Sequence, residues 1–131
     1  VEMIMLGYNT PATEPPWGFE PTHLASLHNN LSMQSGAYQN ATWVVGVAKG
    51  GTEEGVESLA QSAIYAPSGQ IVAQAVTTGD ELIVARCDLD LCQNYKETLF
   101  NFDLYRRPEV YGRITGQKGV IRPGATARLD D

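Results

Sequence analysis

Residues 62–76 read Ser-Ala-Ile-Tyr-Ala-Pro-Ser-Gly-Gln-Ile-Val-Ala-Gln-Ala-Val, and this stretch decides the fold class. Two short apolar runs, residues 62–66 and 71–76, flank the tetrapeptide Pro-Ser-Gly-Gln at positions 67–70. A proline followed two residues later by a glycine is typical of a β-turn. The pattern predicts a β-hairpin, and therefore a sheet around which the other elements must be arranged.

Three more apolar runs predict strands on either side of this hairpin. They cover residues 3–8, 43–48 and 81–87. Each run has strand length and is rich in large or β-branched apolar residues. Because none of them alternates with polar residues, we expect these strands to be apolar on both faces.

Two segments have the periodicity of amphipathic helices. The first covers residues 22–39, with leucines at positions 24, 27 and 31. The second covers residues 89–105, and Asp88 is its predicted N-cap. Residues 11–21 hold four of the seven prolines, so a loop is expected there. The order of elements predicts an α/β fold in which the two helices cover one face of a sheet.

Composition and charge exclude several classes of protein. The chain has 131 residues, enough for one globular domain, and a net charge of −6, which argues against a nucleic-acid partner. No apolar run reaches the roughly 18 residues that span a membrane, and the first residues lack a signal-peptide pattern. We therefore expect a cytoplasmic protein without a membrane partner.

The reactive side chains form no familiar catalytic or metal-binding motif. His23 and His28 are five residues apart, whereas ligands on one helix face need a spacing of three or four. Cys87 and Cys92 are predicted to be packing thiols, and the alternative is a free-standing enzyme that uses Cys92 as its nucleophile. The glutamates at positions 53, 54 and 57 indicate a solvated acidic loop around residues 50–55, with paired acid–base carboxylates as the alternative.

The strongest candidates for ligand contact are Asn9 and Thr10. They directly follow the predicted strand 3–8, and α/β folds place their ligands at the carboxyl ends of strands. The alternative is that both residues only end the strand and open the next turn.

Several sequence blocks occur in a distinctive order. They are Gly-Tyr-Asn-Thr-Pro at 7–11, Leu-Ser-Met-Gln-Ser-Gly-Ala-Tyr-Gln-Asn at 31–40, the hairpin at 66–73, Asp-Leu-Asp at 88–90, Phe-Asn-Phe at 100–102, and Arg-Arg-Pro at 106–108 with Tyr-Gly at 111–112. This series resembles the C-terminal part of N-carbamoyl-D-amino acid amidohydrolases, in the nitrilase (carbon-nitrogen hydrolase) superfamily. The resemblance implies that residues 1–112 are the C-terminal part of a carbon-nitrogen hydrolase domain, followed by a C-terminal extension over residues 113–131.

The resemblance implies the C-terminal portion of a four-layer α-β-β-α sandwich, usually assembled into dimers or tetramers. It implies cleavage of the carbamoyl C–N bond of an N-carbamoyl amino acid by a Cys-Glu-Lys mechanism, with no metal and no cofactor. In these enzymes the triad precedes the Gly-Tyr-Asn-Thr-Pro block, so we expect no catalytic residue in this chain and no activity from it alone. The implied partners are an N-terminal segment that carries the triad, further copies of the chain, or both.

The resemblance also implies roles for individual residues. Asn9 and Thr10 match the polar pair that borders the substrate pocket, and His28 matches a structural histidine, which we expect to be partly buried. The family's Gly-x-Ser before the hairpin is Ala60-Gln61-Ser62 here. The alternative function is a non-catalytic interaction or scaffold domain derived from the same fold. Either function predicts that the chain is not a monomer, because its apolar strands need more cover than two helices provide.

Overall fold

The computed structural model describes residues 1–12 and 22–119 of the chain. In chain order the elements are β1 (Met3–Tyr8), α1 (Thr22–Gln39), β2 (Trp43–Ala48), β3 (Thr52–Glu53), β4 (Val56–Glu57), β5 (Ala63–Tyr65), β6 (Ile71–Gln74), α2 (Leu91–Glu97), α3 (Phe102–Tyr105), a 3-10 turn (Pro108–Val110) and α4 (Gly112–Thr115). No described helix has both the length and the apolar character needed to cross a membrane.

The chain divides into two compact units, Val1–Asn101 and Phe102–Asp131. The first unit contains the sheet with α1 and α2, and the second contains α3, the 3-10 turn and α4. Most of the predicted proline-rich loop, from residue 13 to residue 21, lies outside the described residues. So does the part of the predicted extension that begins at residue 120.

A four-stranded sheet forms the centre of the first unit, with the strand order β1-β2-β5-β6. Strand β1 is parallel to β2, and the other two pairs of neighbours are antiparallel. The predicted strands 3–8 and 43–48 and the predicted hairpin are therefore confirmed, although the hairpin strands are shorter than expected. Gly69 has a φ of +82° in the turn, a backbone conformation that glycine adopts without steric cost.

Helix α1 covers one face of the sheet. Ala37 and Met33 on α1 pack with Val44 of β2 and with Ala63 and Tyr65 of β5. Because side chains alternate along a strand, these three strand residues share a face. This cluster is the part of the core that connects helix and sheet.

The opposite face of the sheet carries a second cluster, formed by Trp43, Ile64, Ala66 and Cys92. Cys92 lies on α2, so the two predicted helices are on opposite faces of the sheet, and the expectation that they share one face is wrong. The partly buried Ile83, Ala85 and Cys87 also pack here. Residues 83–92 thus cover the face that the sequence pattern left open.

Residues 81–87 do not form a strand of the sheet, contrary to the prediction. Their apolar residues reflect packing against the cluster around Trp43 rather than pairing with a neighbouring strand. Strand β1 also differs from its prediction of burial on both faces, since Met5 is 72% exposed. Strand β1 lies at the edge of the sheet, where only β2 pairs with it.

The predicted helix over residues 89–105 is interrupted. Helix α2 ends at Glu97, and Thr98 leaves the helical conformation with a φ of −119° and a ψ of −89°. The Thr98 hydroxyl donates to the carbonyl of Asn94 at 2.5 Å, a local bond that competes with regular helix geometry. The ring of Phe100 meets that of Tyr38 edge to face at 4.9 Å, so a tertiary contact also acts at the break.

Two local predictions need correction as well. Helix α2 begins at Leu91 with Asp90 as its N-cap residue, whereas Asp88 lies two residues earlier and its carboxylate accepts the Asp90 amide N–H at 3.1 Å. The predicted acidic loop at residues 50–55 is instead part of the small antiparallel hairpin β3–β4.

Candidate functional site

The carboxyl end of β1 is joined to the segment that follows β4. The Leu59 amide donates to the Thr10 carbonyl at 2.7 Å, and the Ala12 amide donates to the Glu57 carbonyl at 2.7 Å. The Ser58 hydroxyl donates to Asn9 Oδ1 at 3.3 Å. With the bond from the Lys49 amide to the Tyr8 carbonyl at 2.9 Å, backbone bonds therefore hold the chain on both sides of Asn9 and Thr10.

Thr10 lines a surface pocket of about 260 Å³ between the end of β1 and helix α1. The other lining residues all belong to α1, and they are Ala25, His28, Asn29, Ser32 and Met33. Asn9 does not line this pocket, so the structure places the two predicted site residues next to each other without directing both to one cavity. His28 is exposed at the pocket wall rather than partly buried as expected.

A polar network that the sequence did not reveal lies beside this pocket. The Tyr8 hydroxyl donates to the Gln61 carbonyl at 3.2 Å and accepts from Asn29 Nδ2 at 3.1 Å. The Gln61 side chain in turn bonds Ser26 on α1 at 2.8 Å. Burial raises the pKa of Tyr8, and the bond from Asn29 opposes this effect only in part. Tyr8 precedes Thr10 by two residues, a spacing that could have identified it as a neighbour of the site.

A second buried phenol lies on the same face of the sheet. The Tyr65 hydroxyl donates to Asn30 Oδ1 at 2.8 Å. Burial, and to a lesser extent the nearby Tyr8, raises the pKa of Tyr65 to about 12. Both phenols are neutral at pH 7, so they position side chains of α1 and cannot supply an ionised base.

The backbone is strained just before β5, where Gln61 joins this network. Ala60 and Gln61 have φ values of 56° and 66°, in the left-handed region that favours glycine. These residues begin the Ala60-Gln61-Ser62 sequence, and the Ser62 hydroxyl accepts the amide of Ala48 at 2.9 Å. The strain positions the Gln61 carbonyl and side chain for their bonds to Tyr8 and Ser26.

The two thiols have the surroundings of packing residues. Cys92 is 1% exposed, and its Sγ donates to the Glu2 carbonyl at 3.4 Å. Burial raises the pKa of the Cys87 thiol, which opposes formation of the nucleophilic thiolate. Neither environment favours covalent catalysis.

The acidic residues of the small hairpin are exposed. Glu53, Glu54 and Glu57 all lie at its surface, and Glu53 forms an ion pair with Lys49. Within residues 1–12 and 22–119, no group of three or more His, Cys, Asp and Glu side chains could hold a metal ion. The arrangement fits the predicted solvated acidic segment.

Comparison with known proteins identifies the family. The sequence model described as "Carbon-nitrogen hydrolase" matches residues 17–97, more than half of the chain. Among solved structures, the chain resembles a carbon-nitrogen hydrolase from Helicobacter pylori G27, with 13% identity and a TM-score of 0.69, covering 86% of this chain and 40% of that one.

Two further structures have the same fold. The NitFhit protein of C. elegans has 22% identity and a TM-score of 0.62, over 82% of this chain and 24% of that one. Nit3 of Saccharomyces cerevisiae, described as a member of branch 10 of the nitrilase superfamily, has 22% identity and a TM-score of 0.54, over 68% of this chain and 31% of that one.

At these identities the structural likeness shows the fold alone. This chain spans between 24% and 40% of the length of these three proteins, so it represents part of the domain that they contain. The mixed α/β fold predicted from the sequence is confirmed as a partial nitrilase-like fold. By the match of its sequence, the chain belongs to the carbon-nitrogen hydrolase family.

Proposed function

We propose that this chain is the C-terminal segment of an amidohydrolase that cleaves the carbamoyl C–N bond of N-carbamoyl amino acids. Family membership supports hydrolysis of a carbon–nitrogen bond, and the ordered blocks from residue 7 to residue 112 support the carbamoyl substrate. The Glu-Lys-Cys triad is supplied from outside these 131 residues. This chain supplies one border of the substrate pocket.

In this reaction the chemical steps belong to the triad. The glutamate removes the thiol proton, the cysteine thiolate attacks the carbamoyl carbon, and the lysine stabilises the negative oxygen of the tetrahedral intermediate. The C–N bond then breaks and ammonia leaves with the proton that the glutamate returns. Water, activated by the same glutamate, hydrolyses the thioester and frees the cysteine. Asn9 and Thr10 bind and orient the substrate. The pocket has no need for an ionised base from this chain, which agrees with the neutral state of Tyr8 and Tyr65.

The observation that carries the proposal is the donor set at the end of β1. Asn9 Oδ1 is occupied by Ser58, whereas within the described residues neither Asn9 Nδ2 nor the Thr10 hydroxyl has a hydrogen-bond partner. An amide N–H and a hydroxyl are suitable donors for the carboxylate of an amino-acid derivative. The backbone bonds at Thr10 and Ala12 keep these donors at the strand end without a substrate.

A second function, a non-catalytic interaction domain, is favoured by the exposed apolar side chains. Met5, Leu82 and Val84 are 72%, 88% and 79% exposed, and such residues are frequent in protein interfaces. An assay of the chain alone does not separate the two functions, because both predict no turnover. Kinetics of the complete enzyme separate them.

The test measures ammonia release from N-carbamoyl-D- and N-carbamoyl-L-amino acids. We expect none above the uncatalysed rate from the pure 131-residue chain, and activity from a longer gene product that includes the triad. In that product, Asn9→Ala should lower kcat/KM about tenfold or more, because it removes a hydrogen bond to a charged ligand. Gln117→Ala, at an exposed polar residue of the second unit, is the control.

Three outcomes would contradict the proposal. Turnover by the pure chain that Cys92→Ala abolishes would show a free-standing enzyme. An Asn9→Ala enzyme with unchanged kinetics and unchanged stability would leave Asn9 and Thr10 with the role of ending the strand. A longer product that binds partners but turns over none of these substrates would favour the interaction domain.

A further inference from the structure

Asn29 and Asn30 are neighbours on helix α1, and each bonds a tyrosine of the sheet in a different way. Asn29 Nδ2 donates to the Tyr8 hydroxyl at 3.1 Å. By contrast, Asn30 Oδ1 accepts from the Tyr65 hydroxyl at 2.8 Å. A side-chain amide has one carbonyl oxygen and one NH2 group, so the first bond leaves Asn29 with its oxygen and the second leaves Asn30 with its nitrogen.

The Gln61 carbonyl determines the orientation of the Asn29 amide. A main-chain carbonyl only accepts hydrogen bonds, so the Tyr8 hydroxyl, 3.2 Å from the Gln61 oxygen, donates its single proton there. The hydroxyl can then bond Asn29 only as an acceptor, which requires the NH2 group to face it. Within the described residues the Tyr65 hydroxyl has no main-chain carbonyl as a partner, and it donates to its asparagine instead.

The oxygen that remains on Asn29 belongs to a residue of the pocket wall. Asn29 and Thr10 both line the pocket of about 260 Å³ at the end of β1, whereas Asn30 does not. Within residues 1–12 and 22–119, Asn29 Oδ1 accepts no hydrogen bond and the Thr10 hydroxyl makes none. The wall of this pocket therefore combines a hydrogen-bond acceptor with a donor.

An N-carbamoyl amino acid has groups that match both. Its carboxylate accepts hydrogen bonds from hydroxyl and amide donors, and the N–H between its carbamoyl carbon and its Cα donates one. A carbonyl oxygen cannot donate to the carboxylate, so Asn29 Oδ1 suits only the N–H. The two kinds of group on the pocket wall thus correspond to two different parts of the same substrate.

We propose that Asn29 is a specificity-determining residue whose side-chain oxygen accepts the N–H between the carbamoyl carbon and the Cα of the substrate. Tyr8 and the Gln61 carbonyl are the positioning groups that keep the Asn29 amide in this orientation. This inference rests on the proposed function and adds to it the part of the substrate that helix α1 recognises.

The test compares two substrates in the longer gene product that includes the triad. N-carbamoylglycine carries the N–H, and N-carbamoylsarcosine has a methyl group in place of its hydrogen. Asn29→Ala should raise KM for N-carbamoylglycine about three- to tenfold with little change in kcat, because this hydrogen bond is made equally in the bound substrate and in the transition state. The affinity for N-carbamoylsarcosine, measured as KM or as an inhibition constant, should stay the same.

Asn30→Ala is the matched control. It removes the same side chain from the next position of α1 and breaks an equivalent bond to a tyrosine, but it does not alter the pocket wall. A purely structural loss of this kind should affect both compounds alike, so only Asn29→Ala should change the ratio of their affinities.

A second pair of variants tests the positioning groups. Tyr8→Phe removes the hydroxyl that orients Asn29, and it should weaken N-carbamoylglycine binding without affecting N-carbamoylsarcosine. Tyr65→Phe makes the same change at the other tyrosine and should not alter the ratio. In NMR spectra of the 131-residue chain, the side-chain amide resonances of Asn29 should shift in Tyr8→Phe and not in Tyr65→Phe. This pair keeps the test decisive if Asn29→Ala fails to fold.

The inference alone is overturned if Asn29→Ala weakens both compounds by the same factor, or if it weakens neither. It is also overturned if Tyr8→Phe leaves both the affinities and the Asn29 amide resonances unchanged, because the amide would then not be held by the phenol. A native longer product that turns over no N-carbamoyl amino acid contradicts the proposed function itself, and the inference with it. Turnover by the native product therefore separates the failure of one from the failure of the other.

Discussion

Residues 43–48 and residues 81–87 look alike in sequence and differ in the structure. Both are apolar runs of strand length that are rich in valine or isoleucine. Strand β2, which is the first run, lies between β1 and β5 and pairs with both of them. The second run packs on the sheet through every other side chain and has no strand beside it in the described part of the chain.

The difference shows that burial of side chains and pairing with a neighbouring strand are separate properties, although an apolar run is usually taken to indicate both. Burial of a side chain depends on a surface to pack against, and for both segments that surface includes the cluster around Trp43 and Ile64. Strand pairing depends on a second backbone at a distance of about 4.8 Å, which no local sequence supplies. A run of valines and isoleucines therefore predicts that some of a segment's side chains will be buried. It does not predict whether the backbone will pair with a neighbouring strand.

The strongest test of this comparison uses the same substitution in both segments. Val44 is 5% exposed and Val84 is 79% exposed. Val44→Ala should lower the free energy of unfolding by about 2 to 3 kcal/mol, because it removes buried methyl groups and leaves a cavity. Val84→Ala should change it by about 0.5 kcal/mol or less. Urea unfolding of the dilute chain measures both, and equal losses would show that residues 81–87 are as deeply packed as β2.

A smaller effect is expected at the contact between β2 and helix α1. A Cβ added at Gly46 would lie 2.8 Å from Met33 Sδ and 3.2 Å from Tyr8 Cε1, so Gly46→Ala should cost about 1 to 2 kcal/mol. Gly36 lies within α1 with open space around it, and Gly36→Ala should stabilise the chain by about 0.5 to 1 kcal/mol. Thermal unfolding should move in opposite directions for the two variants. A stabilising Gly46→Ala would show that this contact is loose.

The smallest effect concerns the start of residues 81–87 and depends on pH. The bond from the Thr77 amide is the main cause that lowers the pKa of Glu81 below its ordinary 4.5, and the Thr77 hydroxyl and Val76 amide act in the same direction. A lowered pKa means that Glu81 stabilises the fold above pH 4.5 and that this contribution disappears as the pH falls through the lowered value. Glu81→Gln should flatten this acid-range dependence, whereas Glu54→Gln, at an exposed residue of the small hairpin, serves as the control for loss of charge. Unfolding curves between pH 2 and 6 that are parallel for the native chain and Glu81→Gln would contradict the expectation.

The candidate site was only partly predictable from the sequence. Asn9 and Thr10 could be found because strand ends and polar residues are visible locally, and the structure places them at the end of β1 as expected. The network of Tyr8, Asn29 and Gln61 could not be found, since its members are far apart in the chain and meet only when α1 lies on the sheet. The left-handed backbone at Gln61 is equally hidden, because glutamine carries no signal for a positive φ.

The sequence by itself determined the elements whose signals are local. The hairpin followed from a turn tetrapeptide between two apolar runs, α1 from its leucine spacing, and β1 and β2 from their composition. Tertiary structure decided which face each helix covers, where the second helix breaks, and that residues 81–87 pack without pairing. Local signals fix φ and ψ over a few residues, whereas these outcomes depend on surfaces and strand edges contributed by residues distant in the chain.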